Sequence, residues 1–218
     1  MGTPYRLVIF DLDGTLYEFP ANATNFKTTK IYGEIKSNAI KFIGLRIGVG
    51  KEAASAIWDT INAKYNGHIA TGIETEYHIP RGEYLSKVWD VKAETYLKPN
   101  LKIKALLAAI SKKAILSSAP KVWVDSALKA LEIDKMFDYV ATGSENSRKP
   151  HQAAYLKILS HFDLPPKAAI MIDDDLEFLK GAKDVGIDTV LISKRLEALP
   201  PFVDYKVSNI LELRKLLL

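Results

Sequence analysis

The chain has 218 residues, 48% of them hydrophobic and 26% charged, with a formal net charge of +4 and no cysteine. That length suits one domain of ordinary size or a core with an inserted module, and the apolar content is enough for a packed interior. A disulfide scaffold is excluded, no apolar run reaches membrane-spanning length, and Lys and Arg are dispersed instead of blocked, so neither a nucleic-acid polymer nor a membrane is expected as a partner.

Val8, Ile9 and Phe10 open the chain as a buried strand that runs into Asp11-Leu12-Asp13-Gly14-Thr15. Residues two apart on a strand share a face, so the two carboxylates are expected side by side. Such a pair raises at least one pKa and persists where a cation or a proton transfer uses it.

Residues 17–97 carry helical patterns and no clear strand, with amphipathic stretches at 28–42, 51–65 and 80–89. Gly48-Val49-Gly50-Lys51 imitates a nucleotide-binding loop. No strand precedes it, however, and Glu52 stands where a Ser or Thr belongs, so it is read as the turn opening a helix. Tyr65, Asn66, His68 and Tyr77 lie near a glycine-bearing bend and are the candidates for substrate selection. Trp58, Trp89 and Trp123 are read as packing residues, and the four histidines show no ligand spacing.

From residue 98 the patterns alternate. Helices are predicted at 101–110, 121–131, 151–162 and 176–185, the last ended by Gly186, and strands at 114–116, 139–141, 168–172 and 189–192. A short strand at Val207 and a helix within 209–217 follow. Alternation of this kind predicts a three-layer α/β core, a Rossmann-like parallel sheet with helices on both faces.

Several of these strand ends carry chemistry. Ser117 and Ser118 follow one, Arg148-Lys149-Pro150 lies beyond another, and Asp173-Asp174-Asp175 ends a third. A hydroxyl and its neighbouring backbone N–H hold a phosphoryl oxygen, and an ammonium group neutralises charge that shifts in the transition state. Ligands of open α/β sheets sit outside the carboxyl ends of the strands, so Asp11, Asp13, Asp173 and Asp174 are expected around one point. A hard divalent ion compensates such a cluster, and Mg²⁺ fits better than Zn²⁺ because no Cys or spaced His accompanies the acids.

In the order acid pair, hydroxyl, lysine, acid pair, the chain resembles the haloacid dehalogenase (HAD) superfamily, whose four motifs match Asp11-Leu12-Asp13-Gly14-Thr15, Ser117, Lys149 and Asp173-Asp174. The likeness spans nearly the whole chain and is strongest over residues 5–17 and 96–192. Leu16-Tyr17, Tyr65-Asn66-Gly67, Gly72, Tyr96-Leu97-Lys98-Pro99 and the paired Asp173-Asp174 are similar to the pyrimidine 5′-nucleotidase-like branch.

The resemblance implies a HAD fold, with residues 1–16 and 98–218 as catalytic core and 17–97 as an inserted α-helical cap. It implies a Mg²⁺-dependent phosphate monoester hydrolase, working through an aspartyl phosphate on a small phosphorylated metabolite, with a nucleoside 5′-monophosphate favoured. A cytoplasmic location is the default expectation, since the first strand begins too soon for a signal peptide. On the residues alone Asp11 and Asp13 are interchangeable. The resemblance implies Asp11 as attacker and metal ligand, and Asp13 as acid–base group with its backbone carbonyl on the metal. It further implies Asp174 as carboxylate ligand, Asp173 acting through water or orienting Lys149, Ser117 and the backbone around Ser118 holding phosphoryl oxygens, and Lys149 neutralising them. The competing readings are a sugar-phosphate phosphomutase and a non-catalytic phospho-Asp signalling module.

Overall fold

Leu7–Phe10 forms β1, and all four of its side chains are buried, as an apolar run without alternation requires of a strand covered on both faces. The computed structural model describes residues 5–143, 148–195 and 198–218. The chain divides into two compact units, Met1–Phe19 with Leu97–Leu218, and Pro20–Tyr96.

The second unit is built from α1 (Lys30–Ile47), α2 (Lys51–Lys64), α3 (Ile69–Tyr77) and α4 (Arg81–Val88). α1 begins where the Thr29 hydroxyl accepts the Tyr32 amide at 3.1 Å and ends at Gly48, in the left-handed conformation with φ 77°. It passes the predicted end at Phe42 and runs through Gly44, where an added Cβ would lie 3.1 Å from the Val49 carbonyl oxygen, because the left-handed turn that stops it falls only at Gly48. Gly50 is the N-cap residue of α2, so the glycine pair is a helix–helix turn. The sequence of α3 gives no helix by itself, since its Thr and Gly residues are weak helix formers. Burial of Ala70, Gly72 and Ile73 overrides that weakness. Gly72 is needed for the close approach of α3 to α2, because a Cβ there would lie 2.5 Å from Ile61 Cγ2 and 2.6 Å from Tyr65 Cδ2.

The first unit continues with α5 (Leu101–Ala109), β2 (Lys113–Leu116), α6 (Lys121–Ala130), β3 (Tyr139–Ala141), α7 (Gln152–Phe162) and β4 (Ala169–Asp173). α8 (Leu176–Asp184), β5 (Asp188–Ile192), β6 (Tyr205–Val207) and the terminal α9 (Arg214–Leu217) complete it. The strands form one six-stranded sheet in the order β3-β2-β1-β4-β5-β6, with every pairing parallel. Leu7, Ile9, Leu116 and Met171 share a buried cluster with Tyr155, Ile158 and Leu159 of α7 and Leu179 and Ala182 of α8. Val8, Phe10, Ile115 and Ile172, of the other parity, are buried as well.

What positions the site is the place of β1 between β2 and β4. The order of strands reverses there, and at such a switch point the loops part to leave a crevice. The register pairs Phe10 with Ile172, and the Asp11 amide donates to the Ile172 carbonyl at 2.9 Å. Both acid-bearing strand ends are thus neighbours. Among the described residues no helix is long and apolar enough to cross a membrane.

Candidate active site

Lys149 is the centre of the arrangement. Its Nζ donates to Asp11 Oδ1 at 2.7 Å and to Asp173 Oδ2 at 2.6 Å, and all three residues are buried. The Phe178 ring centroid lies 4.5 Å from the ammonium. Burial alone would lower the Lys149 pKa, but the charges of Asp11 and Asp173 and the hydrogen bonds to both hold it above the ordinary lysine value. At Asp173, burial pushes the carboxyl up against the pull of the ammonium. Its two oxygens accept from Lys149 and from the Asp175 amide at 2.9 Å, which holds it as the ionised partner of the pair. Asp175 itself caps α8 by accepting the Glu177 amide at 2.8 Å, so the third acid of the run has a structural task.

Carboxylate oxygens of Asp11, Asp173 and Asp174 all lie within 4.8 Å of one another. Burial and then the charge of Asp11 push Asp174 up to about 7. Three acids against one ammonium leave negative charge uncompensated, and the donor set is oxygen only, so the cluster fits a hard divalent cation such as Mg²⁺. Asp173 spends both oxygens on Lys149 and Asp175, which leaves Asp11 and Asp174 to face a cation. Gly14 sits beside them with φ +93°, and a Cβ there would fall 2.4 Å from Asp174 Oδ2. Only glycine fits that backbone and that space.

The expected ring of four carboxylates is a ring of three. The Asp13 side chain turns to two donors, the Tyr17 hydroxyl at 2.5 Å and the Trp123 indole N–H at 2.7 Å, and both reach the same oxygen, Oδ1. Burial and the Asp11 charge push Asp13 up to about 6, while the two donors pull the other way. Tyr17 reaches Asp13 because the chain turns tightly. The Thr15 and Leu16 amides return to the Leu12 carbonyl, and Asp13 and Tyr17 form a parallel bridge. A tyrosine four residues beyond the acid and past a glycine was the signal available in the sequence. Trp123, read as packing, is fully buried and also a donor. Its distance of 110 residues from Asp13 left no such signal.

Ser117 follows β2 and is buried. Its amide donates to the Ala141 carbonyl at 3.0 Å, and its hydroxyl accepts the Ala119 amide at 3.1 Å. The hydroxyls of Ser118 and Thr15 are buried and, among the described residues, have no hydrogen-bond partner. Orphaned buried hydroxyls mark places where an oxygen-rich ligand would satisfy them. Tyr65, Asn66 and His68 occupy the turn between α2 and α3, and Tyr77 ends α3, so these four belong to the helical unit. Tyr65 donates to Glu76 Oε1 at 2.5 Å, an oxygen that also accepts from Lys64 at 2.7 Å.

The family model of the haloacid dehalogenase-like hydrolases matches residues 5–186, and the chain belongs to that family. It is 27% identical over 210 residues to the glyceraldehyde 3-phosphate phosphatase of Pyrococcus furiosus, covering 85% of this chain and 79% of that protein. The pyrophosphatase PpaX of Bacillus anthracis is 28% identical over 102 residues, and the chain spans 47% of that relative's length. Among solved structures, the HAD phosphatase from Thermococcus onnurineus has the same fold, with a TM-score of 0.65, 23% identity and 97% coverage of each chain.

Proposed function

We propose that the protein is a Mg²⁺-dependent phosphatase that hydrolyses small phosphate monoesters through an aspartyl phosphate on Asp11. The observation that carries this reading is the buried Asp11–Lys149–Asp173 bridge beside Asp174 at the switch point of the sheet. Similarity to a glyceraldehyde 3-phosphate phosphatase over most of the chain supports a small phosphorylated metabolite as substrate.

In the first step one Asp11 oxygen bonds to phosphorus as the bond to the leaving oxygen breaks, and Asp13 gives its proton to that oxygen. Water then attacks phosphorus and passes a proton to Asp13 as the bond to Asp11 breaks. Inorganic phosphate leaves, and both carboxyls return to their starting forms. A carboxyl pushed up to about 6 suits this exchange near neutrality. Lys149 neutralises the phosphoryl group, and Ser117 with the unsatisfied hydroxyls of Thr15 and Ser118 provides donors for its oxygens. Asp11 and Asp174, with the Asp13 backbone carbonyl, would hold the Mg²⁺, which when bound supplies further neutralisation of the phosphoryl oxygens. Selection of the substrate we assign to the helical unit, with Tyr65, Asn66, His68 and Tyr77 as the residues to vary.

A panel of nucleoside 5′-monophosphates, triose phosphates, sugar phosphates, pyrophosphate and p-nitrophenyl phosphate tests the reading. The branch resemblance favours the first class, and the Pyrococcus relative favours the second. Phosphate release is expected to stop with chelator and return with Mg²⁺, and Asp11→Asn is expected to lower kcat by about 10⁴-fold or more. Chelator-insensitive turnover, or phosphate moved within a sugar with none released, would overturn it.

A further inference from the structure

Asp13 is held in an unusual way. Two donors from distant parts of the chain converge on one of its oxygens, Oδ1, and among the described residues neither of them reaches the second. The Trp123 indole N–H reaches Oδ1 from α6, and the Tyr17 hydroxyl reaches the same atom from the turn after β1. A carboxyl oxygen offers two lone pairs, and an indole N–H donates and never accepts. With both lone pairs of Oδ1 taken, that oxygen has no capacity left for a reacting group. The phenol keeps its donor role, since burial and the neighbouring Asp13 charge hold its pKa above the ordinary tyrosine value.

We infer that Trp123 and Tyr17 are positioning residues that fix the Asp13 carboxyl by occupying Oδ1, so that Oδ2 alone exchanges the proton with the leaving group and with water. The inference rests on the phosphatase reading above. It gives Trp123, whose indole donates to Asp13, a part in both chemical steps, through the aim of one carboxyl oxygen. Proton transfer in the transition state demands hydrogen-bond reach and direction. A carboxyl free to rotate about its Cβ–Cγ bond would present either oxygen, or neither, to the reacting atom.

Trp123→Phe and Tyr17→Phe each remove one donor and keep a ring, and the tyrosine change is almost isosteric. With p-nitrophenyl phosphate the leaving group departs without help from an acid, whereas breakdown of the phosphoenzyme needs Asp13 as base. The expected result is a ratio of burst rate to steady-state rate raised by about 10–100-fold in each variant, with KM falling alongside kcat and kcat/KM within about threefold of the parent. For an alkyl phosphate, kcat should drop by a comparable factor. A merely structural role would slow both phases together and leave the ratio unchanged, and that outcome would overturn the inference, as would wild-type kinetics in both variants.

A second measurement is independent of turnover. The indole ¹⁵N–¹H signal of Trp123, assigned by its loss in Trp123→Phe, should move upfield in metal-free Asp13→Ala as its acceptor is removed. A signal that stays in place would show that the hydrogen bond does not exist, even in an active enzyme. Absence of phosphate release from the parent with a normal indole shift would instead strike the phosphatase reading, and the proton-exchange role with it.

Discussion

Replacing Asp174 by Asn should make the metal-free protein more stable, although Asp174 is one of the acids offered to the cation. In the folded chain burial and the Asp11 charge raise its pKa from 3.8 to about 7. The sign follows from linkage. A carboxyl raised on folding contributes its full stability below the unfolded value, loses it as pH rises, and has lost it above the folded value. The loss therefore runs from about pH 3.8 to about pH 7. The interval corresponds to about 4 kcal/mol, and screening at this partly exposed site reduces it to about 2–4 kcal/mol.

Asn keeps the shape and carries no charge to penalise. In chelator at pH 8 the variant should gain about 2–4 kcal/mol, or about 5–15 °C in Tm for a chain of this size. At pH 4 the two proteins should melt nearly together. Added Mg²⁺ should reverse the ranking at about a thousandfold excess over the wild-type Kd, where wild type gains about 4.1 kcal/mol and the variant little. Thermal melts followed by circular dichroism, with and without Mg²⁺ at both pH values, measure all four cases. A variant less stable than wild type in chelator at pH 8 would refute the reasoning, since Asp174 would then have a compensating partner other than a metal.

Lys149→Met should abolish turnover and cost about 3–5 kcal/mol at pH 8, because Asp11 and Asp173 are left buried without their shared cation. Urea denaturation should show the cost shrinking at pH 5, where a carboxyl takes up a proton in the folded state, and equal losses at both pH values would contradict this. Gly14→Ala places a Cβ 2.4 Å from Asp174 Oδ2 on a backbone with φ +93°. It should destabilise by about 1–3 kcal/mol and raise the Mg²⁺ concentration needed for half-activity, and superimposable Mg²⁺ titrations would mean that Asp174 is not crowded.

The sequence alone determined the strands of the core and which side chains stand at their ends. Apolar runs bounded by Asp11, Ser117 and Asp173 are legible because strand length and turn chemistry are local properties. Motif order then singled out Asp11, Asp13, Lys149 and Asp174 before any packing was known. Helices that depend on contacts made elsewhere were not legible. α3 exists because Gly72 lets it bury Ile73 against its neighbours, not because residues 69–77 favour a helix. The tertiary structure also decided what each carboxylate faces. Phe10 pairs with Ile172, which brings Asp11 and Asp173 to one ammonium, and α6 delivers Trp123 to Asp13 across 110 residues. Hydrogen bonds fall off within an ångström and depend on direction. Their partners are therefore fixed only when the sheet register and helix packing are, and no spacing in the chain encodes them.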